Sequence, residues 1–207
     1  MALFITFEGG EGSGKSAQAR RLYRRLSLLA IPTLLTNEPG GTNLGDKIGH
    51  WLKWAHSDIS PLTELLLFNA SRTQLIDETI RPSLKRGMAV ICDRYTDSTI
   101  AYQSYGRGLS SEMVTSINNT ATQGLNPNLT VLLDISAEEG LARKKAKKQD
   151  RIEQENFAFH QRVREGYLKL AAGDPERWLV LDATQSKESV SQTIWQRVSQ
   201  LLSNQKG

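Results

Sequence analysis

Five short apolar runs punctuate the chain, at residues 3–7, 31–36, 89–92, 130–133 and 178–181. Each is nearly continuous in hydrophobicity rather than alternating, which is the pattern of strands buried on both faces of a parallel sheet. Between them, apolar residues recur at three- and four-residue spacing. Ala19, Leu22, Leu26 and Leu29 stripe residues 15–30. Ser60 and Pro61 form a cap followed by proline at the first helical position, and the helix they open is expected to reach about Lys85 with Leu62, Leu65, Leu66, Leu75 and Ile76 along it. Val190, Ile194, Val198 and Leu201 make a last stripe. Strands alternating with helices predict right-handed βαβ units and an α/β fold: a five-stranded parallel sheet flanked by helices, in one domain over 1–207. Ligands of such sheets bind beyond the carboxyl ends of the strands. That rule directs attention to Glu8 through Ser16, Asn37 through Thr42, and the stretches after Asp93, Asp134 and Asp182.

Composition narrows the setting. Apolar residues are 39% and charged residues 23%, ordinary for a globular domain, and no apolar run approaches the ~18 residues of a membrane span. Residues 1–7 read as a first strand rather than a signal peptide. The single cysteine, Cys92, rules out an internal disulfide, and a cytoplasmic location is expected. The net charge of +4 is unevenly spread. Arg20, Arg21, Arg24 and Arg25 read as a solvated helix face. The run Arg143-Lys144-Lys145-Ala146-Lys147-Lys148 holds five cations in six residues. No aromatics are interleaved with the Arg143–Lys148 run, so an anionic small ligand is expected rather than nucleic acid.

The sharpest signal is Gly9-Gly10-Glu11-Gly12-Ser13-Gly14-Lys15-Ser16, a G-x-x-x-x-G-K-[ST] loop lying between an expected strand and an expected helix. Glycines let successive backbone N–H groups point at one anion, and the helix N-terminus adds partial positive charge. Lys15 is expected to reach the β- and γ-phosphates of a nucleotide, and Ser16 to place its hydroxyl on Mg²⁺. The loop in this setting predicts the P-loop NTPase fold. An N-K-x-D guanine signature is missing, which argues against a GTPase switch.

Acceptor chemistry is expected at the strand ends. Glu8 and Asp93 could hold a metal-bound water or a sugar hydroxyl, or serve as caps and ion-pair partners. Asp134 reads as the cap of a helix starting at Ala137. Phe68 and Arg72, four apart on the long helix, share a face and suit a base and its carbonyl or a phosphate, although Phe68 also continues the apolar Leu65-Leu66-Leu67 run. Arg94 follows Asp93, and Ser98, Thr99, Tyr102 and Gln103 can hydrogen-bond a base or sugar edge.

These residues together resemble the bacterial type of thymidylate (dTMP) kinase along nearly the whole chain. The landmarks are Phe7-Glu8-Gly9 before the loop, Glu38-Pro39-Gly40-Gly41-Thr42, Leu67-Phe68 with Ser71-Arg72, and Asp93-Arg94-Tyr95 with Asp97-Ser98. Ala101-Tyr102-Gln103, Gly106-Arg107-Gly108, Asp150-Arg151-Ile152-Glu153 and Asp182-Ala183-Thr184 complete the series. The resemblance implies ATP and Mg²⁺ as cofactors, dTMP as acceptor and a homodimer. It implies that Phe68 stacks on thymine and Arg72 bonds its carbonyl, that Arg94 holds the dTMP phosphate near Lys15, and that Ser98, Thr99 and Gln103 line the base pocket. Tyr102 would crowd the sugar 2′ position, and Glu8 would contact the sugar or a metal-bound water. Arg143 and Arg151 would belong to a lid of about residues 141–155, with Arg151 at the transferring group and Arg143, Asp182 and Ala183 on the adenine side. Residues 10, 11 and 13 of the loop are not basic, and the family's other arrangement, with catalytic cations in the lid, agrees with the basic run.

Two departures stand out: Asn37 where the family often has arginine, and Gly49 where many members have an arginine for the acceptor phosphate. Lys47, His50 or Arg94 alone would then carry that task. Two other functions remain open on the sequence: a kinase for a different nucleotide or nucleoside, and a non-catalytic ATP-binding switch.

Overall fold

A computed structural model describes residues 2–55, 58–144 and 149–204. Five parallel strands form one sheet in the order β2-β3-β1-β4-β5: β1 (Leu3–Glu8), β2 (Thr33–Asn37), β3 (Ala89–Asp93), β4 (Leu129–Asp134) and β5 (Trp178–Asp182). Each strand runs on to a polar residue, so Glu8, Asn37, Asp93, Asp134 and Asp182 all stand on one edge of the sheet. The second strand starts two residues later than its apolar run. Ile31 still donates its N–H to Leu26 O, closing α1 (Lys15–Leu28) through a left-handed Ala30 at φ 55°, and Pro32 has no N–H to give the sheet.

Hydrophobic faces explain the layers. Leu3, Ile5 and Phe7 of β1 pack with Ala19, Leu22 and Leu26 of α1 and with Val190, Ile194 and Val198 of α9 (Lys187–Asn204). The last buried position of that stripe is Leu202, with Leu201 half-buried beside it. Phe4 points the other way, against Leu75, Ile76, Ile80 and Tyr95. Fully burying one such side chain is worth about 1.5–3 kcal/mol, so these two clusters, not helix propensity, hold the layers together.

The long helix does reach Lys85, but with a break in its ladder. It begins as α3 (Pro61–Leu75), where the Ser60 hydroxyl accepts from Thr63 N, passes through a π-helical turn at Ile76–Ile80, and ends as α4 (Arg81–Lys85). Arg81 donates to Ile76 O, five residues back. Pro82 explains the shift, since it offers no N–H and its ring crowds the carbonyl four residues earlier. A second π turn at Ile100–Gly106 follows the short α5 (Thr96–Thr99) and carries Tyr102 and Gln103.

The remaining helices are α2 (Asn43–Trp54), α6 (Ser111–Thr122), α7 (Ala137–Lys144) and α8 (Phe157–Gly173). Asp134 does not cap α7. Its carboxylate takes two bonds from Arg164 of α8, at 2.7 and 2.9 Å, and Ser136 caps the helix by accepting from Glu139 N. Gly12 of the loop and Gly140 of α7 lie backbone to backbone: a methyl on Gly12 would overlap the carbonyl oxygen of Gly140, and one on Gly140 the carbonyl oxygen of Glu11. That contact seats the start of the basic segment directly on the loop. Lys145, Ala146, Lys147 and Lys148, part of the expected cationic lid, lie outside the described residues. Among those described, no helix is long and apolar enough to cross a membrane.

Candidate active site

The glycine loop sits where the sheet rule puts it, at the end of β1, and turns into α1 through Gly14 at φ 91°. Lys15 folds back into its own loop. Its Nζ donates to Gly9 O at 2.9 Å, Gly10 O at 2.7 Å and Ser13 Oγ at 3.3 Å. Burial pulls this ammonium down to about pKa 8, and the repulsion of Arg94 adds to the effect against Glu11, Asp93 and Glu8.

Arg94 is the second cation at the loop. It occupies a left-handed backbone position at φ 73°, uncommon for a residue with a side chain. Its guanidinium reaches Gly9 O at 3.2 Å, Glu11 at 2.6 Å, Tyr102 OH at 3.1 Å, and Ser98 Oγ and Tyr167 OH at 3.3 Å. Burial alone would push the Glu11 carboxyl up. Arg94 and Lys15 outweigh it and hold the group at about 2. Glu11 therefore stands as a fixed anion where two cations converge, inside a loop whose shape suits phosphate.

Around them opens a cleft of about 720 Å³, a volume typical of small-molecule sites. Glu11, Gly12, Gly14, Lys15, Ser16 and Arg143 line one end, and Phe68, Arg72, Ser98, Thr99, Tyr102 and Gln103 the other. Asp93 and Arg94 lie along it too. Ser16 donates its hydroxyl to Asp93 at the mouth of the loop. No group of three carboxylate, histidine or cysteine side chains that could hold a metal occurs among the described residues. One hydroxyl and one carboxylate suit Mg²⁺ bound chiefly by phosphates and water, rather than in a protein cage.

Several expected site residues take other surroundings. Glu8 is fully buried beneath the cleft, where its carboxylate accepts from Tyr95 N at 2.7 Å, Ser98 Oγ at 2.5 Å and Tyr167 OH at 2.9 Å. Burial, with the charge of Asp97, raises it to about 7. Arg72 lines the cleft but is buried to 1% exposure, with Nε on Glu38, Nη1 on Asn69 and Asn118, and Nη2 on Tyr95 O. Breaking the Glu38–Arg72 pair strands a buried charge, worth about 3–5 kcal/mol. Loss of activity on truncating Arg72 would therefore report stability before any base contact.

Arg151 is not at the loop. Its Nη2 binds Glu64, and its Nε and backbone N–H cap the end of α2 at Leu52 O and Lys53 O, each at 3.1 Å. The buried carboxylate of Glu64, which also accepts from Gln103 and Arg107, draws the guanidinium there. Among the described residues of the expected lid segment, the cations that line the cleft are Arg143 and Lys144. Arg143 also donates to Ala183 O at 3.1 Å, joining the β5 end to the loop, while Asp182 turns its carboxylate to Thr184.

Gly49 packs against Pro39, where a Cβ would come 3.0 Å from the carbonyl oxygen. Lys47 and His50 are exposed on α2 and do not line the cleft; Lys53, one turn beyond Gly49, does. The sequence also gave no sign of Tyr167, on α8, whose hydroxyl joins Glu8, Ser98 and Arg94. Glu38 lies in the Glu38-Pro39-Gly40-Gly41-Thr42 stretch, but its partner Arg72 is 34 residues away.

Residues 7–194 match the family model described as "Thymidylate kinase". The chain belongs to the thymidylate kinase family. A thymidylate kinase of Dehalococcoides mccartyi is 55% identical over 203 residues, covering 98% of each protein. That of Deinococcus radiodurans is 48% identical over 199 residues, covering 96% of this chain and 97% of the relative. The crystal structure of thymidylate kinase from Ehrlichia chaffeensis superposes with a TM-score of 0.78 at 32% identity, covering 95% of this chain and 98% of the other. Membership of this family agrees with a loop that carries two cations and a cleft continuing past it.

The depressed Lys15 gives a pH expectation. Its ammonium, the form that attracts phosphate, is present below about pH 8 and lost above it. In the free enzyme kcat/KM for ATP should then fall roughly tenfold per pH unit above that value. A profile flat to pH 10 would show that Lys15 remains charged throughout.

Proposed function

We propose that the protein transfers the γ-phosphoryl group of ATP to dTMP, giving ADP and dTDP. The observation that carries this reading is the convergence of Lys15 and Arg94 on one glycine loop, with a single cleft running from the loop to the face of Phe68. One phosphate chain fits the loop. A second phosphate approaching from the Phe68 side meets Arg94 at the same place.

An oxygen of the dTMP phosphate attacks the γ-phosphorus of ATP, a new O–P bond forms, and the bond to the β-phosphate oxygen breaks to release ADP. The nucleophile is already an anion, so no strong general base is required, and rate enhancement comes from alignment and charge neutralisation. Lys15 takes the β- and γ-phosphates on leaving its loop carbonyls. Arg94 holds the acceptor phosphate, and Arg143 and Lys144 cover the loop from the lid side. Ser16 and Asp93 would hold Mg²⁺, which supplies further neutralisation of the phosphate charge when bound. Phe68 presents its half-buried ring to the base. Ser98, Thr99, Tyr102 and Gln103 complete the acceptor wall, with Tyr102 fixed at the sugar by its bonds to Glu11 and Arg94. Glu8 acts from below, orienting Ser98 and Tyr167. Arg151 docks the lid on α2 and α3 in this conformation.

The protein is also proposed to pair with a second copy through α2 and α3, where Leu44, Trp51, Leu62 and Leu66 are each 44–50% exposed. Trp51→Lys should leave a monomer by sedimentation, whereas a wild-type protein already monomeric at micromolar concentration would exclude the pairing. The acceptor is tested by ADP release with dTMP, dUMP, dCMP, dGMP and AMP. Strong preference for dTMP is expected; turnover confined to any other acceptor rejects the reading.

A further inference from the structure

The carboxylate of Glu64, on α3, is buried to 1% exposure and stands behind the cleft rather than in it. It accepts from Gln103 Nε2 at 2.8 Å, from Arg107 Nε and Nη2 at 3.1 and 3.2 Å, and from Arg151 Nη2. Burial alone would push this carboxyl up, but hydrogen bonds and charge from Arg107, with Gln103 and Arg151, hold it below the usual carboxylate range. It is therefore ionised at neutral pH.

An ionised carboxylate accepts and cannot donate. Only the NH₂ end of Gln103 can face it, so the amide is locked in one of its two orientations. Among the described residues, no protein donor reaches Gln103 Oε1. The residue lines the acceptor end of the cleft, on the π turn next to Tyr102. The end left for a ligand is thus an acceptor.

We propose that Glu64 is a positioning residue for base selection: by locking Gln103 it presents a fixed acceptor to the ligand, which selects a pyrimidine carrying N–H at N3 and rejects one whose N3 is a bare lone pair. Thymine and uracil have that N–H, and cytosine does not. This rests on the reading of the cleft as a dTMP site. It assigns rejection of dCMP to Glu64 acting through Gln103. The same carboxylate binds Arg151, so it ties the base wall to the docked end of the lid.

The test is kcat/KM for dTMP, dUMP and dCMP with the wild-type protein, Glu64→Gln and Gln103→Leu. In Glu64→Gln the new amide turns its oxygen to Arg107 and Arg151 and its NH₂ to Gln103, which then reverses and offers a donor to the cleft. The dTMP-to-dCMP ratio should fall about tenfold or more, because one matched hydrogen bond becomes a mismatch. The dTMP-to-dUMP ratio should stay unchanged. Gln103→Leu removes the reader, leaves Glu64 paired with both arginines, and should lower the same dTMP-to-dCMP ratio, which decides the matter if Glu64→Gln does not fold. A purely structural Glu64 would slow both acceptors equally. An unchanged dTMP-to-dCMP ratio in either folded variant overturns the proposal. A wild-type protein inactive with dTMP would instead overturn the acceptor reading beneath it.

Discussion

Two positive charges, Lys15 and Arg94, share one small buried volume, and the rest of the site exists to make that tolerable. Like charges a few ångströms apart in a low-dielectric setting repel strongly. The protein offsets this with the carboxylates of Glu11, Asp93 and Glu8 and with the carbonyls of Gly9 and Gly10. Each counter-group comes from the end of β1 or β3 or from the loop between β1 and α1. The parallel register of β1 against β3, with Phe7 beside Asp93, thus fixes the distance between loop and guanidinium. Bound phosphates would replace some of these internal partners with better ones, which is why the arrangement reads as a receptor and not as a stabilising ion-pair network.

Irregular backbone shapes the Phe68 end of the cleft. Arg94 sits at positive φ, and the π turn after α5 widens the helix where Tyr102 and Gln103 face the cleft. Such turns are common at functional sites because they re-aim side chains without ending a helix. The buried Glu38–Arg72 pair then anchors α3 to the segment after β2, so that Phe68, one turn before Arg72, faces the cleft from a rigid support.

Much of this was legible in the chain itself. The loop motif, the five strands and the acids at their ends depend on local pattern, and sequence spacing carries local pattern well. Pairings between distant segments were not legible. Arg151 lies in a basic, lid-like stretch, yet its partner Glu64 is 87 positions away on α3. Asp134 has the place of a helix cap, yet Arg164 supplies a stronger, two-bond partner. Arg72 reads as a ligand-facing residue because burial leaves no local trace. The absence of room at Gly49 depends on Pro39, brought close only by the bend between β2 and α2. In each case a long polar side chain chose its partner from tertiary neighbours, a choice that residue type alone does not encode.

In the proposed reaction two phosphate-bearing molecules meet end to end across Lys15 and Arg94 in one cleft. That arrangement is tested most directly by calorimetric titration with a single compound in which adenosine and thymidine are joined, 5′ to 5′, through a chain of phosphates. One molecule should bind per chain, displaced by ATP and by dTMP alike, since each occupies half of its site. Displacement by only one of the two would contradict it, because the cleft would then hold a single nucleotide.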